Sequence, residues 1–148
     1  MIAFLRILWA VLWRSILVLA LNTGIIHALS HPLSSETELS IKLRLSLTLL
    51  PAAIIFGALA ARTGNAQSVL LELQSPMSFA QWRQTYAALA GCALLITVVT
   101  RIAALSWSTD SWLAFRTLLP LPMFLLVWTG VSIWQAYAPE SRRRPQSS

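Results

Sequence analysis

The chain has 148 residues, 57% of them hydrophobic and 11% charged, with a mean hydropathy of +0.68 and a formal net charge of +6. An ordinary soluble domain has about 25% charged residues, so this composition excludes a water-soluble globular fold. In a membrane protein, positive charge sets topology and attracts anionic lipid headgroups. We therefore expect membrane lipid, and no nucleic acid, as a partner.

The first segment long enough to span a membrane is 7–29, since a spanning helix needs about 20 mostly apolar residues. Arg14 interrupts it, and an ionisable residue inside a membrane is a functional candidate by default. Snorkelling, or a helix whose membrane portion starts later, explains Arg14 without a function. A cleaved signal peptide is the alternative for this segment, because Arg6 precedes an apolar run that ends near Ser30. The run is long for a signal peptide and contains Arg14.

His27 and His31 are four residues apart, a spacing that can place two imidazoles on one helix face. Pro32 follows directly and ends the helix there. The chain has no third histidine, and we expect no metal site.

The second segment is 45–61. Before it, Ser35 and Glu38 have the spacing of a capping box, which predicts a helix that starts near Glu36. Pro51 should kink this helix, because proline lacks the backbone N–H that the preceding turn would bind.

Small residues recur at four-residue spacing on the second helix, at Ala53, Gly57 and Ala61. Ala87 and Gly91 repeat the spacing on the third. Such ridges let two backbones approach closely, so we predict that the second and third helices pack together.

The third segment is 84–100 and the fourth is 117–137, with connections at 30–44, 62–83 and 101–116. These connections leave no room for a soluble domain. We predict an all-α, integral membrane four-helix bundle that occupies residues 1–139 as one domain, followed by a disordered basic tail at 140–148.

Cys92 lies in the third segment and is expected to be a buried thiol. Tryptophans favour the headgroup level, which suits Trp82, Trp107, Trp112 and Trp134, whereas Trp128 lies deeper and should pack.

Four crossings put both termini on one side. If the C-terminus is cytoplasmic, seven arginines lie inside and four cations lie outside, which agrees with the enrichment of Lys and Arg on cytoplasmic sides. A bacterial inner membrane with a cytoplasmic C-terminus is the expected location.

The four outside cations, here called the basic rim, are Lys42, Arg44, Arg101 and Arg116. Together with Trp107 and Trp112 they could hold a polyanion or carboxylate, or they could contact lipid headgroups. No acidic residue lies within the four apolar segments. This disfavours a proton relay or an ion-coupled transporter, and leaves a small-molecule permease as the weakest option.

The stretch KLRLSLTLLPAAIIFGALAARTGNAQ resembles the first loop and second helix of bacterial proteins in the MAPEG superfamily, the membrane-associated proteins in eicosanoid and glutathione metabolism. TRIAALSW and AFRTLLPLPMFLLVW are similar in layout to the end of the third helix and the start of the fourth. The length and the four helices also match, so the resemblance covers most of the chain.

The resemblance implies a homotrimer with active sites between subunits, in which glutathione is the co-substrate for conjugation or reduction of lipophilic substrates. By position, Arg101 and Arg116 would be the catalytic contacts to glutathione or its thiolate. Lys42, Arg44, Arg83 and Gln84 would help to bind the substrate. Where the family has an Asn followed three residues later by a Glu, the nearest register here has Gln84 and Ala87.

A second hypothesis is a non-catalytic membrane scaffold or accessory subunit. Its small-residue ridges and basic rim would bind partner helices or anionic lipid. The oligomeric state would help to separate the two hypotheses.

Overall fold

The structure, a computed structural model, describes residues 2–29, 37–62 and 77–137. Its helices are α1 (Ile2–Leu29), α2 (Glu38–Ser46), α3 (Leu50–Arg62), α4 (Phe79–Ser106), α5 (Thr109–Leu118) and α6 (Pro120–Ala136). The pairs α2–α3 and α5–α6 each form one interrupted helix. Counted in this way, four helices are long and apolar enough to cross a membrane. The predicted all-α four-helix bundle is confirmed.

The helices are longer than the apolar segments that predicted them. α4 has 28 residues, about 42 Å at 1.5 Å per residue, and includes Arg101. The predicted connection at 101–116 is largely wrong, because only Trp107 and Ser108 separate α4 from α5. Ser108 accepts a hydrogen bond from the Ser111 N–H, so a polar cap starts the next helix well before its apolar part.

Side-chain caps also set the starts of α2 and α4. The Thr37 side chain accepts from the Ser40 N–H, so α2 begins at Glu38. The predicted cap, Ser35, lies outside the described residues. Ser78 and Gln81 form a capping box at the start of α4, in which the Ser78 N–H donates to Gln81 Oε1 at 2.8 Å.

The predicted kink at Pro51 is confirmed as a break at residues 47–49 between α2 and α3. The proline ring excludes the carbonyl of residue 47, so the helical ladder cannot continue. The next amide, the Ala52 N–H, donates to Asn22 Oδ1 of α1 at 3.0 Å, and both residues are buried. Asn22 therefore replaces the acceptor that the break removes.

Neighbouring helices form a ring in the order α1, α3, α4, α6, and α2 and α5 extend α3 and α6 along α4. At one end α1, α3, α4 and α6 have the termini Ile2, Arg62, Phe79 and Ala136, and we call this the Arg62 end. At the opposite end, called the Trp107 end, α4 runs into α5 and α2 begins.

The core between α3 and α4 is built from small and large side chains that alternate. These two helices have the most extensive contact, which confirms that the second and third segments pack together. Ala52, Ala53 and Ala93 let the backbones approach while Phe56 and Leu89 fill the space between them. The glycines of the predicted ridges contribute little here, because a Cβ added at Gly57 or Gly91 would meet nothing within 4 Å.

The four tryptophans expected at the headgroup level differ in exposure. Trp82 and Trp112 are buried, whereas Trp107 and Trp134 are exposed. The two buried tryptophans pack against other side chains: Trp82, for example, stacks on Tyr86 with ring centroids 5.3 Å apart. Trp128 is buried, as predicted.

Candidate functional site: the basic rim

The four cations of the basic rim lie towards the Trp107 end. Lys42 and Arg44 belong to α2, Arg101 to the last turns of α4, and Arg116 to the last turn of α5. Because α2 and α5 both pack beside α4, three helices bring their polar ends together here.

Lys42 is buried and its ammonium contacts the end of α4. Its Nζ donates to the Trp107 carbonyl at 3.4 Å and lies 3.2 Å from Glu38 Oε1. Glu38 also accepts a hydrogen bond from the Thr109 hydroxyl at the start of α5. The carbonyls at a helix C-terminus lack intrahelical donors and carry partial negative charge, which a cation stabilises. Lys42 and Glu38 therefore join α2 to the α4–α5 turn.

Arg116 is half-buried and contacts the break between α2 and α3. Its Nε donates to the Leu45 carbonyl at 3.2 Å. Leu45 precedes the break, so its carbonyl has lost the helical donor four residues on. It accepts instead from the N–H and hydroxyl of Thr48 and from Arg116. The guanidinium lies 5.8 Å from the centroid of the Trp112 ring, within reach of a cation–π attraction.

A second hydrogen-bonded group fastens α2 and α5 to α4 just below the rim. The Thr100 carbonyl accepts from Trp112 Nε1 at 3.1 Å and from the Ser46 hydroxyl at 3.4 Å. Around it, Trp112 packs on Ala103 and Ala104 of α4. These contacts hold Trp112 in place against α4, and Arg116 lies beside its ring.

The other two rim cations differ in exposure. Arg101 is exposed, and Arg44 is half-buried and takes part in an interaction of its own. Of the four rim cations, Lys42 and Arg116 thus bind backbone carbonyls, Arg44 is half-buried, and Arg101 is exposed.

Arg83 and Gln84 lie at the Arg62 end, in the first turns of α4. Eighteen residues separate Arg83 from Arg101, about 27 Å along the helix. Both Arg83 and Gln84 are exposed, and Gln84 Oε1 accepts from Gln135 Nε2 of α6 at 3.4 Å. The structure thus does not bring these two residues together with the rim.

Arg14, the charge inside the first apolar segment, is buried in the bundle. Its guanidinium lies 4.1 Å from the centroid of the Trp82 ring and 4.9 Å from that of Trp13, and its Nη1 donates to the Ala10 carbonyl at 3.3 Å. The hydrogen bond points the side chain towards the Arg62 end. Trp82 lies in the first turn of α4, so the guanidinium of Arg14 lies near the level at which that helix begins.

Asn22 and Gln135, which sequence reasoning passed over, make hydrogen bonds between helices. The available signal was their chemistry, since an amide inside an apolar segment requires a partner in the interior. His27 is exposed, and His31 lies outside the described residues. Within 2–29, 37–62 and 77–137, no group of three His, Cys, Asp or Glu side chains could hold a metal ion.

Comparison with protein-family models, with curated proteins and with solved structures finds no match to this chain.

Proposed function

We propose that this chain is a non-catalytic membrane protein, a scaffold or accessory subunit, that associates with further copies of itself in the bilayer. The surface that would make this contact is the outer face of α4, defined by Arg83, Ala87, Gly91, Leu94 and Val98. All five residues are exposed, and their spacing of three or four places them along one side of the helix.

The observation that carries the proposal is the outward direction of the small residues on α4. Ala87 and Gly91 belong to the ridge expected to pack against the neighbouring helix, yet both are exposed, and a Cβ on Gly91 would meet nothing within 4 Å. In lipid, where the hydrophobic effect does not drive helices together, small residues favour association because they allow close backbone contact. A second copy suits this face because most oligomers are closed assemblies of identical chains.

The contacts of the basic rim support a non-catalytic role. Lys42 and Arg116 donate to the Trp107 and Leu45 carbonyls. A substrate carboxylate would have to compete with these carbonyls for the two cations. These two cations thus serve the ends of α4 and α2.

The test compares two exposed glycines, one on the proposed face of α4 and one on a different helix. Gly91 on α4 and Gly130 on α6 are both exposed, and neither has an atom within 4 Å of an added Cβ. In lipid vesicles, Gly91→Leu should reduce the crosslinked dimer or higher oligomer roughly tenfold, the equivalent of about 1.4 kcal/mol, and Gly130→Leu should leave it unchanged. Equal effects of the two variants, or none, would reject the outer face of α4.

Glutathione-dependent catalysis is the second candidate, and the observation that favours it is the location of Arg101 and Arg116 at the same end of the bundle. A MAPEG-like homotrimer would place these arginines at a subunit seam and use them to bind the carboxylates or thiolate of glutathione. Purified protein in detergent should then conjugate glutathione to a lipophilic electrophile, and Arg116→Ala should abolish the reaction. If wild-type protein neither binds nor conjugates glutathione, this candidate is excluded.

For the location, we propose an inner membrane of a bacterium with the Arg62 end towards the cytoplasm. Arg6, Arg62 and Arg83 lie at that end, where α6 also ends, and the sequence after α6 contains three further arginines at 142–144. Cationic residues near the ends of spanning helices favour the cytoplasmic side. These arginines would then contact anionic lipid on the cytoplasmic face of the membrane, and Arg101 would contact it on the opposite face.

A further inference from the structure

The inner face of α6 carries two polar groups that have no hydrogen-bond partner within the described residues. They are the indole Nε1 of Trp128 and the hydroxyl of Ser132. Trp128 is 8% exposed and Ser132 is fully buried. An unsatisfied buried donor destabilises the folded state, and most such groups in proteins are bonded to protein or to ordered water.

Ser132 differs from the other buried serines and threonines of the described helices. Each of the others donates to the carbonyl of the residue four positions earlier, the usual solution for a hydroxyl in an apolar helix. These residues are Ser15, Ser46, Thr85, Thr97 and Thr100. For Ser132 the corresponding carbonyl is that of Trp128, and the Ser132 hydroxyl makes no such bond.

Trp128 and Ser132 are four residues apart, so they are neighbours on one side of α6. That side is the one packed into the bundle, since Phe124 and Gln135 at the same helical spacing are also buried. α6 packs there against α1 and α4. Gln135 continues the polar series towards the Arg62 end and reaches Gln84 of α4.

We propose that Trp128 and Ser132 bind a water molecule inside the bundle. The Trp128 Nε1–H donates to the water oxygen, and the water donates to Ser132 Oγ. The Ser132 hydroxyl is then free to turn back and donate to the Trp128 carbonyl as the other buried hydroxyls do. A water held in this way satisfies both groups, and two polar partners are within the usual two to four for a buried water. The site is independent of the proposed association and of glutathione binding.

The test is a water-to-indole magnetisation transfer measurement by NMR on full-length protein in lipid nanodiscs, with the tryptophan indoles labelled with ¹⁵N. The internal control is Trp112, which is also buried but whose Nε1 is bonded to the Thr100 carbonyl. Trp128→Phe and Trp112→Phe assign the two signals. We expect a direct cross-relaxation peak between water and the Trp128 indole proton that is at least fivefold stronger than the peak of Trp112.

Two substitutions at Ser132 test the position of the water. Ser132→Val fills the space of the water and should abolish the peak. Ser132→Ala removes one of the two polar partners of the water, so the peak should weaken or disappear. A peak that stays unchanged in both Ser132 variants overturns the proposal. So does a Trp128 indole proton that exchanges magnetisation only with lipid chains, or one whose peak with water is no stronger than that of Trp112. If Ser132→Val does not fold, the wild-type comparison of Trp128 with Trp112 decides.

Discussion

Replacement of Asn22 by alanine removes the only side-chain acceptor that the structure gives to the Ala52 N–H. The bond is 3.0 Å long, and Asn22 is 6% exposed and Ala52 fully buried, so water does not readily replace the lost oxygen. Hydrogen bonds between membrane helices contribute about 0.6–2 kcal/mol, and an orphaned buried donor costs about 1–3 kcal/mol. We expect Asn22→Ala to lower the free energy of unfolding by about 1–2 kcal/mol.

The assay is equilibrium unfolding in mixed micelles, with amide hydrogen exchange at Ala52 as a local readout. The control is Thr23→Ala, which changes the adjacent, exposed residue and removes only a hydrogen bond to the Leu19 carbonyl of its own helix. It should change stability by less than about 0.5 kcal/mol. If Asn22→Ala is no more destabilising than Thr23→Ala, or if the Ala52 amide exchanges at the wild-type rate, the bond from Ala52 to Asn22 does not stabilise the break between α2 and α3.

Three further changes test other contacts. Trp112→Phe keeps an aromatic ring but removes the pyrrole part of the indole and the donor to the Thr100 carbonyl, so unfolding in micelles should show a loss of at least about 1 kcal/mol. No loss would mean that Trp112 does not hold α5 to α4. Arg14→Leu removes the guanidinium from the Trp82 ring, and the resulting change in Trp82 fluorescence should accompany a loss of about 1–2 kcal/mol. An unchanged spectrum would contradict that contact. Leu126→Ala alters an exposed side chain and should stay within about 0.5 kcal/mol of wild type; a larger loss would show that this face is covered.

The sequence was sufficient for the fold class because apolar length and the positions of charge decide where helices span. Pro51 was equally informative, since the effect of a proline on its helix is local. The bounds of α4 and α5 were missed because hydropathy marks the apolar core of a helix, whereas helix ends are set by caps such as Ser78 and Ser108.

The candidate site was less predictable because a charge does not reveal its partner. Lys42 and Arg116 looked alike as rim cations, yet each binds the carbonyl of a particular helix end, which only tertiary packing brings within reach. The sequence likewise could not show which way Ala87 and Gly91 face. Four-residue spacing indicates a ridge, but the neighbouring helices decide whether that ridge faces the bundle or the outside.

The central claim is that the chain acts by association in the membrane. The most direct test is to count subunits of the fluorescently labelled wild-type protein by single-molecule photobleaching in bilayers, over a series of protein-to-lipid ratios. The account predicts multi-step bleaching whose frequency rises with protein density, and a return to single steps in Gly91→Leu. Single-step bleaching of the wild-type protein at every density would contradict it.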